Sequence, residues 1–411
     1  MKNIVAEPGS AAADRAGSPS VALVMYSVML LSYALMAANR FLLPTVATNV
    51  KNEFVFSLAQ TGLLTTIFTL GLGLGGLPTG FLLSRFSRKT VLLCGIAIFS
   101  SAVAATTVAT GFLSLVLCLA VMGVGMAMEA TVMFALAASY FYNNRGAAIG
   151  SVNFCYGLGG IAAPIIAGWL LATYGNWRTP MQVFGAAGFV MIVLIGLFVR
   201  HWFSETKRAS TARASTGGAS SLTNRNTILL TIISLIYGLV LYGFLGMYVT
   251  FLRDPNGLAF PPQTAARVYS LFGVGALLSI AGGWLGDKFS PKTVLAGAFL
   301  TTAVLGYLFV HGPATIGFQG ALTFTYGVVG SAILYVNLAG YHVKAVQSSL
   351  ASKGSGMFVT SLYTSSALAG YLMGFFANQI GWVAAFGVQI SLLSVVAAVL
   401  ALGLRQSEMS T

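Results

Sequence analysis

Two residues in this chain have a chemistry that their surroundings do not share. Arg40, in Ala38-Asn39-Arg40-Phe41-Leu42-Leu43-Pro44, closes a long apolar run with a permanent charge. Glu129, in Gly125-Met-Ala-Met-Glu129-Ala-Thr, is the only acid lying as deep in such a run. A guanidinium offers five donors in a planar fork that matches a carboxylate. A carboxyl among apolar groups can take up and release a proton, because burial favours its neutral form and a nearby cation its charged form. Together the pair suits recognition of an organic anion at Arg40 and carriage of a proton at Glu129. A bare charge inside a bilayer costs several kcal/mol, so such residues face a cavity or a partner. Structural alternatives stand beside each role. Arg40 lies about 19 residues after Val21, roughly 28 Å along a helix, which would also let it snorkel to headgroups. Glu129 could be held permanently by Arg40 or by polar neighbours.

Other polar side chains recur at helical spacing. Tyr33 lies two turns before Arg40 on the same face, and Asn39 adjoins it. Asn153 and Tyr156 share a face at a spacing of three. Later in the chain Tyr237, Tyr248, Tyr335, Asn337, Tyr363 and Thr364 are polar handles in apolar surroundings. Tyr33, Asn39, Asn153, Tyr156, Tyr248, Asn337 and Tyr363 are therefore candidate substrate contacts beside Arg40, although bonds from helix to helix would use the same groups. His201 falls in a linker and His311 and His342 at run ends, where solvation is expected and no coupling role is assigned.

The elements that must position these residues are apolar helices. Of the 411 residues 57% are hydrophobic and 7% charged, against about 25% charged in soluble domains. The mean hydropathy is +0.86. Runs of about 20 apolar residues recur without strand-like alternation, so an all-α multi-pass membrane protein is expected. Twelve spans are predicted, near 21–45, 58–83, 90–110, 112–139, 146–172 and 180–200, then 226–251, 264–286, 292–311, 314–339, 354–377 and 381–404. Residues 1–20 and 405–411 read as tails, 21–200 and 226–404 as two six-helix bundles, and 201–225 as a flexible linker rich in Ser, Thr, Ala and Gly. The formal charge of +13 is no sign of nucleic-acid binding, because the basic residues sit in short loops. With the N-terminus in the cytoplasm, sixteen Lys and Arg fall on that side and four on the other, which places both termini in the cytoplasm.

The halves repeat. Gly80-Phe-Leu-Leu-Ser-Arg85-Phe-Ser-Arg88-Lys89 is echoed by Gly283-Trp-Leu-Gly-Asp287-Lys288-Phe-Ser-Pro-Lys292. Arg145-Gly146 is echoed by Lys353-Gly354, and Gly175-Asn-Trp177-Arg178 by Gly381-Trp382. A duplicated unit puts a substrate site between the halves near mid-membrane. The glycine runs at Gly71–Gly76 and Gly157–Gly160 follow no strand and signal close helix packing, not a nucleotide loop. Cys94, Cys118 and Cys155 lie in apolar runs, so neither disulfide nor metal site is expected. No Walker loop, catalytic carboxylate pair or nucleophile triad is present. An enzyme and a cofactor are not expected.

These features resemble the major facilitator superfamily over nearly the whole chain. Its loop motif, G-x-L-x-D-R-x-G-R-K, is recognisable in both copies. Ser84 replaces its Asp and Ser87 its Gly in the first copy, while the second keeps Asp287 but reads Ser290-Pro291. The resemblance implies a gating role for Arg85, Arg88, Asp287 and Lys288, with topology marking as the alternative. Within the superfamily, Asn39-Arg40 followed by an apolar stretch, the glutamate at 129 and the text Tyr242-Gly-Phe-Leu-Gly-Met-Tyr248 resemble the anion:cation symporters, which include vesicular glutamate, sialin and galactonate transporters. Galactonate-type members carry a titratable Asp before the arginine. Asn39 cannot titrate, which leaves coupling to Glu129. The implied protein is a monomeric, proton-coupled carrier of a small organic anion in a bacterial inner membrane, working by alternating access. A proton-linked exporter of amphipathic cations and a non-transporting receptor are the alternatives.

Overall fold

The computed structural model describes residues 19–140, 145–204, 218–347 and 350–409. Its helices make six spans in each half. In the first half they are α1 (Pro19–Phe54), α2 (Leu58–Thr66 with Phe68–Arg85), α3 (Arg88–Ala105), α4 (Phe112–Tyr140), α5 (Arg145–Tyr174) and α6 (Arg178–Phe198). In the second they are α7 (Arg225–Arg253), α8 (Pro262–Ala276 with Ser279–Lys288), α9 (Pro291–His311) and α10 (Ile316–Lys344), followed by α11 at 351–380 and α12 at 382–402. The last two run on from one another. At 50 residues, Lys353–Leu402 would be about 75 Å long, far beyond a hydrocarbon core of about 30 Å. Gly381 divides it, at φ 82° and ψ 167°, a conformation open to glycine.

Each predicted span overlaps an observed helix, and those at 90–110, 180–200, 314–339 and 381–404 overrun a helix end by one to five residues. The main difference is at α1, which continues through Pro44 to Phe54. Pro44 has no N–H to give the Arg40 carbonyl, yet the helix runs on through it; the Thr45 hydroxyl donates to the neighbouring Phe41 carbonyl at 2.7 Å. Residues 1–18 of the expected tail and 205–217 of the expected linker lie outside the described residues, as do 410 and 411.

The serines that interrupt the loop motif have a structural use. Ser87 Oγ accepts from the Thr90 N–H at 3.1 Å, and Ser290 Oγ from the Thr293 N–H at 3.2 Å. Each is the N-cap of the following helix, a role that glycine fills less well. Pro291 then occupies the first helical position, where its missing N–H costs nothing.

Glycines let the backbones touch. A methyl on Gly159 would fall 2.6 Å from the Ala38 nitrogen, joining α5 to α1. Between the halves, one on Gly62 would fall 1.8 Å from the Gly370 carbonyl oxygen, and one on Gly374 2.0 Å from that of Leu58. Thr66 adds a hydroxyl bond to the Ala367 carbonyl at 3.0 Å. On the other flank Gly160 meets Gly273. Arg253 Nη1 donates to Asn49 Oδ1 at 2.7 Å, bridging the last turns of α7 and α1. The Gly62, Gly374, Thr66 and Arg253 contacts lie toward the end opposite the termini, and those of Gly159 and Gly160 near mid-helix. Toward the terminal end, Gly76, Gly80 and Gly356 would meet nothing within 4 Å, and Ile280 and Trp284 are exposed. The tightest contacts between the halves are thus at the end opposite the termini.

Candidate functional site

Between the halves lies a narrow cavity with about 30 Å³ of accessible space, room for a water or two and well below the roughly 300–1,000 Å³ of an open small-molecule site. The N-terminal half contributes Tyr33 and Arg40 from α1 with Asn153 and Tyr156 from α5. The C-terminal half contributes Leu241 and Tyr242 from α7, Ser279 from α8, and Ser331, Tyr335 and Val336 from α10. Arg40 is the only charged residue in this lining.

Arg40 lies near the middle of a 36-residue helix and is 8% exposed. Burial there takes away the headgroup-snorkelling alternative. Its guanidinium lies 5.6 Å from the centroid of the Tyr156 ring, a cation–π distance. Its Nε has no hydrogen-bond partner among the described residues, and no ion pair among them involves it. Phe41, next in sequence, packs on Tyr156 and on Tyr269 of α8 at 5.5 and 5.8 Å between ring centroids. The arginine is thus seated where the two halves meet.

Glu129 is fully buried in mid-α4. Ser32 Oγ donates to its Oε1 at 2.6 Å, and its Oε2 has no partner among the described residues. Glu129 does not line the cavity and makes no ion pair with Arg40. Only α1 separates it from the cavity: Ser32 turns to Glu129 while Tyr33, the next residue, turns to the cavity.

Of the other candidate contacts, Tyr33, Asn153 and Tyr156 join Arg40 in the lining. Four do not. Asn39 turns back on its own helix, donating to the Leu35 carbonyl at 2.9 Å. Tyr248 is inside the C-terminal half, where its hydroxyl donates to Gln319 Oε1 at 3.0 Å and accepts from Thr323 at 3.1 Å. Asn337 donates to the carbonyls of Gly282 and Ile333, both at 2.9 Å, and so fastens α8 to α10. Tyr363 stands one layer back, its hydroxyl 3.5 Å from that of the lining residue Tyr335 and its ring edge-on to Tyr242.

The loop residues bond close to home. Arg88 Nη1 reaches the Ser204 carbonyl at 3.5 Å. Lys89 Nζ caps the end of α6 through the carbonyls of Gly196 and Val199 at 2.9 and 2.6 Å. Asp287 pairs with Lys344 at 2.9 Å within the C-terminal half. Lys288 lies 4.8 Å from the centroid of the Trp284 ring, and Arg85 is exposed. The expected solvated position of His342 is corrected. It is fully buried, with Nδ1 2.8 Å from the Leu338 carbonyl, because α10 runs past it to Lys344. His311 is exposed and stacked on Tyr307. The sequence singled out neither Ser32, Ser279 nor Ser331: a lone hydroxyl in an apolar run carries no mark of what it faces.

The sequence pattern of the Major Facilitator Superfamily matches residues 29–370. The chain belongs to the major facilitator superfamily. It is an integral membrane transporter, not an enzyme. It is 25% identical over 361 residues to the hexuronate transporter of Bacillus subtilis strain 168, covering 84% of this chain and 85% of that one. It is 24% identical over 290 residues to the cis,cis-muconate transport protein of Acinetobacter baylyi, covering 67% and 66%. Among solved structures, a bacterial homologue of the human lysosomal transporter Spinster, in an inward-facing and occupied conformation, aligns with a TM-score of 0.72 at 18% identity over 94% of this transporter and 95% of that chain. That likeness is one of fold.

Proposed function

We propose that this transporter carries a small organic anion together with protons. Arg40 anchors the carboxylate and Glu129 carries the proton. The observation that supports the reading most is the buried Arg40 side chain, unpaired among the described residues and the sole charge lining the cavity. A desolvated guanidinium calls for an anion, and a cavity of this sign repels the amphipathic cation of the alternative reading. The hexuronate and muconate relatives, named for organic acids, agree with it. Glu129 suits coupling because it is held by one neutral donor and sits one helix away from the bound anion, so loading at Arg40 and protonation at Glu129 influence each other electrostatically. With both termini in the cytoplasm of a bacterial inner membrane, the end where the halves touch most tightly is the periplasmic one, which agrees with an inward-facing state. Uptake into proteoliposomes tests the coupling. Glu129→Gln should abolish accumulation driven by an imposed pH gradient while sparing one-for-one exchange of the anion. Gradient-driven accumulation unchanged in Glu129→Gln would remove the coupling role.

A further inference from the structure

The wall opposite Arg40 is built from two interrupted helices. In α8 the two segments are bent by 45° between Ala276 and Ser279. The Leu278 N–H bonds to the Gly275 carbonyl at 3.2 Å instead of reaching one residue further back, and the regular ladder resumes with Gly282 N–H to Leu278 at 3.0 Å. No hydrogen bond joins the Ala281 N–H to the carbonyl of Leu277 or Leu278. A ten-residue helix, Ser279–Lys288, therefore begins at the cavity. Its first residue lines the cavity, with the Ser279 hydroxyl donating to the Ala276 carbonyl and its oxygen left able to accept. In α10 the stretch Gly327–Tyr335 winds as a π-helix, a form that recurs at functional sites. It carries Ser331, which also lines the cavity, is 8% exposed, and has no hydrogen-bond partner among the described residues. The two segments are one rigid unit. A methyl on Gly282 would fall 1.9 Å from the Ala332 carbonyl oxygen, and the Asn337 amide ties them through Gly282.

We infer that this unit is a second polar pole of the site, and that the carried anion is a bifunctional organic acid, a dicarboxylate matching best. One carboxylate lies on Arg40, and the distal oxygen takes the Ser331 hydroxyl and the start of the Ser279–Lys288 helix. The start of a helix carries about half a positive charge, and interrupted helices whose ends face a mid-membrane cavity address ionic groups of a substrate. The Ser331 hydroxyl in the same lining adds a donor that can reach the distal oxygen. The inference rests on the reading of Arg40 as the anion anchor.

Paired ligands of equal length separate the two. Binding of hexanoate and adipate, and of 4-methylbenzoate and terephthalate, is measured on the purified full-length transporter by ligand-induced thermal stabilisation. The dicarboxylate of each pair should bind about tenfold more tightly than the monocarboxylate. Ser331→Ala should pull that ratio toward one, and Ser331→Thr, which restores a hydroxyl, should keep most of it. Binding that depends on Arg40 but is equal for mono- and dicarboxylates overturns the second pole alone. A ratio that is the same in Ser331→Ala and the parent also overturns it. No binding of any carboxylate overturns the Arg40 reading and the pole with it.

Discussion

At the residue scale the chain places one fixed cation, Arg40, and one carboxyl, Glu129, well inside its spans and keeps them apart with a single helix. This spacing matters physically. A direct buried ion pair would hold both charges permanently, since breaking one leaves an uncompensated charge. Arg40 stacked on Tyr156 and Glu129 bonded to Ser32 each retain an open valence, Nε on one and Oε2 on the other. Ser32 is then more than a filler. Ser32→Ala would leave Glu129 without its one donor among the described residues and should cost about 1–3 kcal/mol, read from denaturant unfolding in detergent. Ser32→Thr should recover most of that loss. A Ser32→Ala protein as stable as its parent would show that Glu129 finds another donor.

At the scale of elements, the halves meet through glycines on α2 and α11 and on α5 and α8, and those contacts stop partway along each pair. Alternating access needs this interface to part. Gly370→Leu would force side-chain volume onto the Gly62 backbone, where overpacking costs about 1–3 kcal/mol, and it would do so only while that end is closed. Transport should fall about tenfold, while the anion still binds the purified protein. Uptake at the parental rate would show that this contact is not held during the cycle. Much at this scale was legible in advance. The twelve spans, the repeat and the short basic loops follow from apolar run length and the position of charge. The interruptions were not. Leu277-Leu278 contains neither proline nor a glycine, and a π-helical turn at Gly327–Tyr335 has no residue signature, so the elements that shape the C-terminal wall are products of packing. The same limit governs the site. Helical spacing put Tyr33 with Arg40 and Asn153 with Tyr156, but it could not separate Tyr242, which faces the cavity, from Tyr248, which faces Gln319. Periodicity gives the face of a helix and not its neighbour.

At the scale of the whole molecule, the charge asymmetry and the tightly packed end make one claim between them. If the termini are cytoplasmic, the tightly packed end of the halves faces the periplasm, and an importer in this state would release its substrate to the cytoplasm. A C-terminal fluorescent-protein fusion should fluoresce, and a C-terminal alkaline phosphatase fusion should be inactive, since each folds to activity on one side only. The reverse pattern would invert the orientation and turn the tightly packed end toward the cytoplasm. Glu53 of α1, held by Arg178 and Trp177 of the α6 entrance at 2.7–2.8 Å, then marks the periplasmic face of the N-terminal half.

Everything in this account depends on Arg40 meeting a carboxylate. The most direct test is carboxylate-induced stabilisation of the purified transporter beside its Arg40→Ala variant. A concentration-dependent shift is expected in the parent and a loss of about 100-fold or more in apparent affinity in the variant, as when a desolvated, charge-assisted bidentate contact is removed. A carboxylate that stabilises Arg40→Ala as well as it stabilises the parent would contradict the anchor role of Arg40.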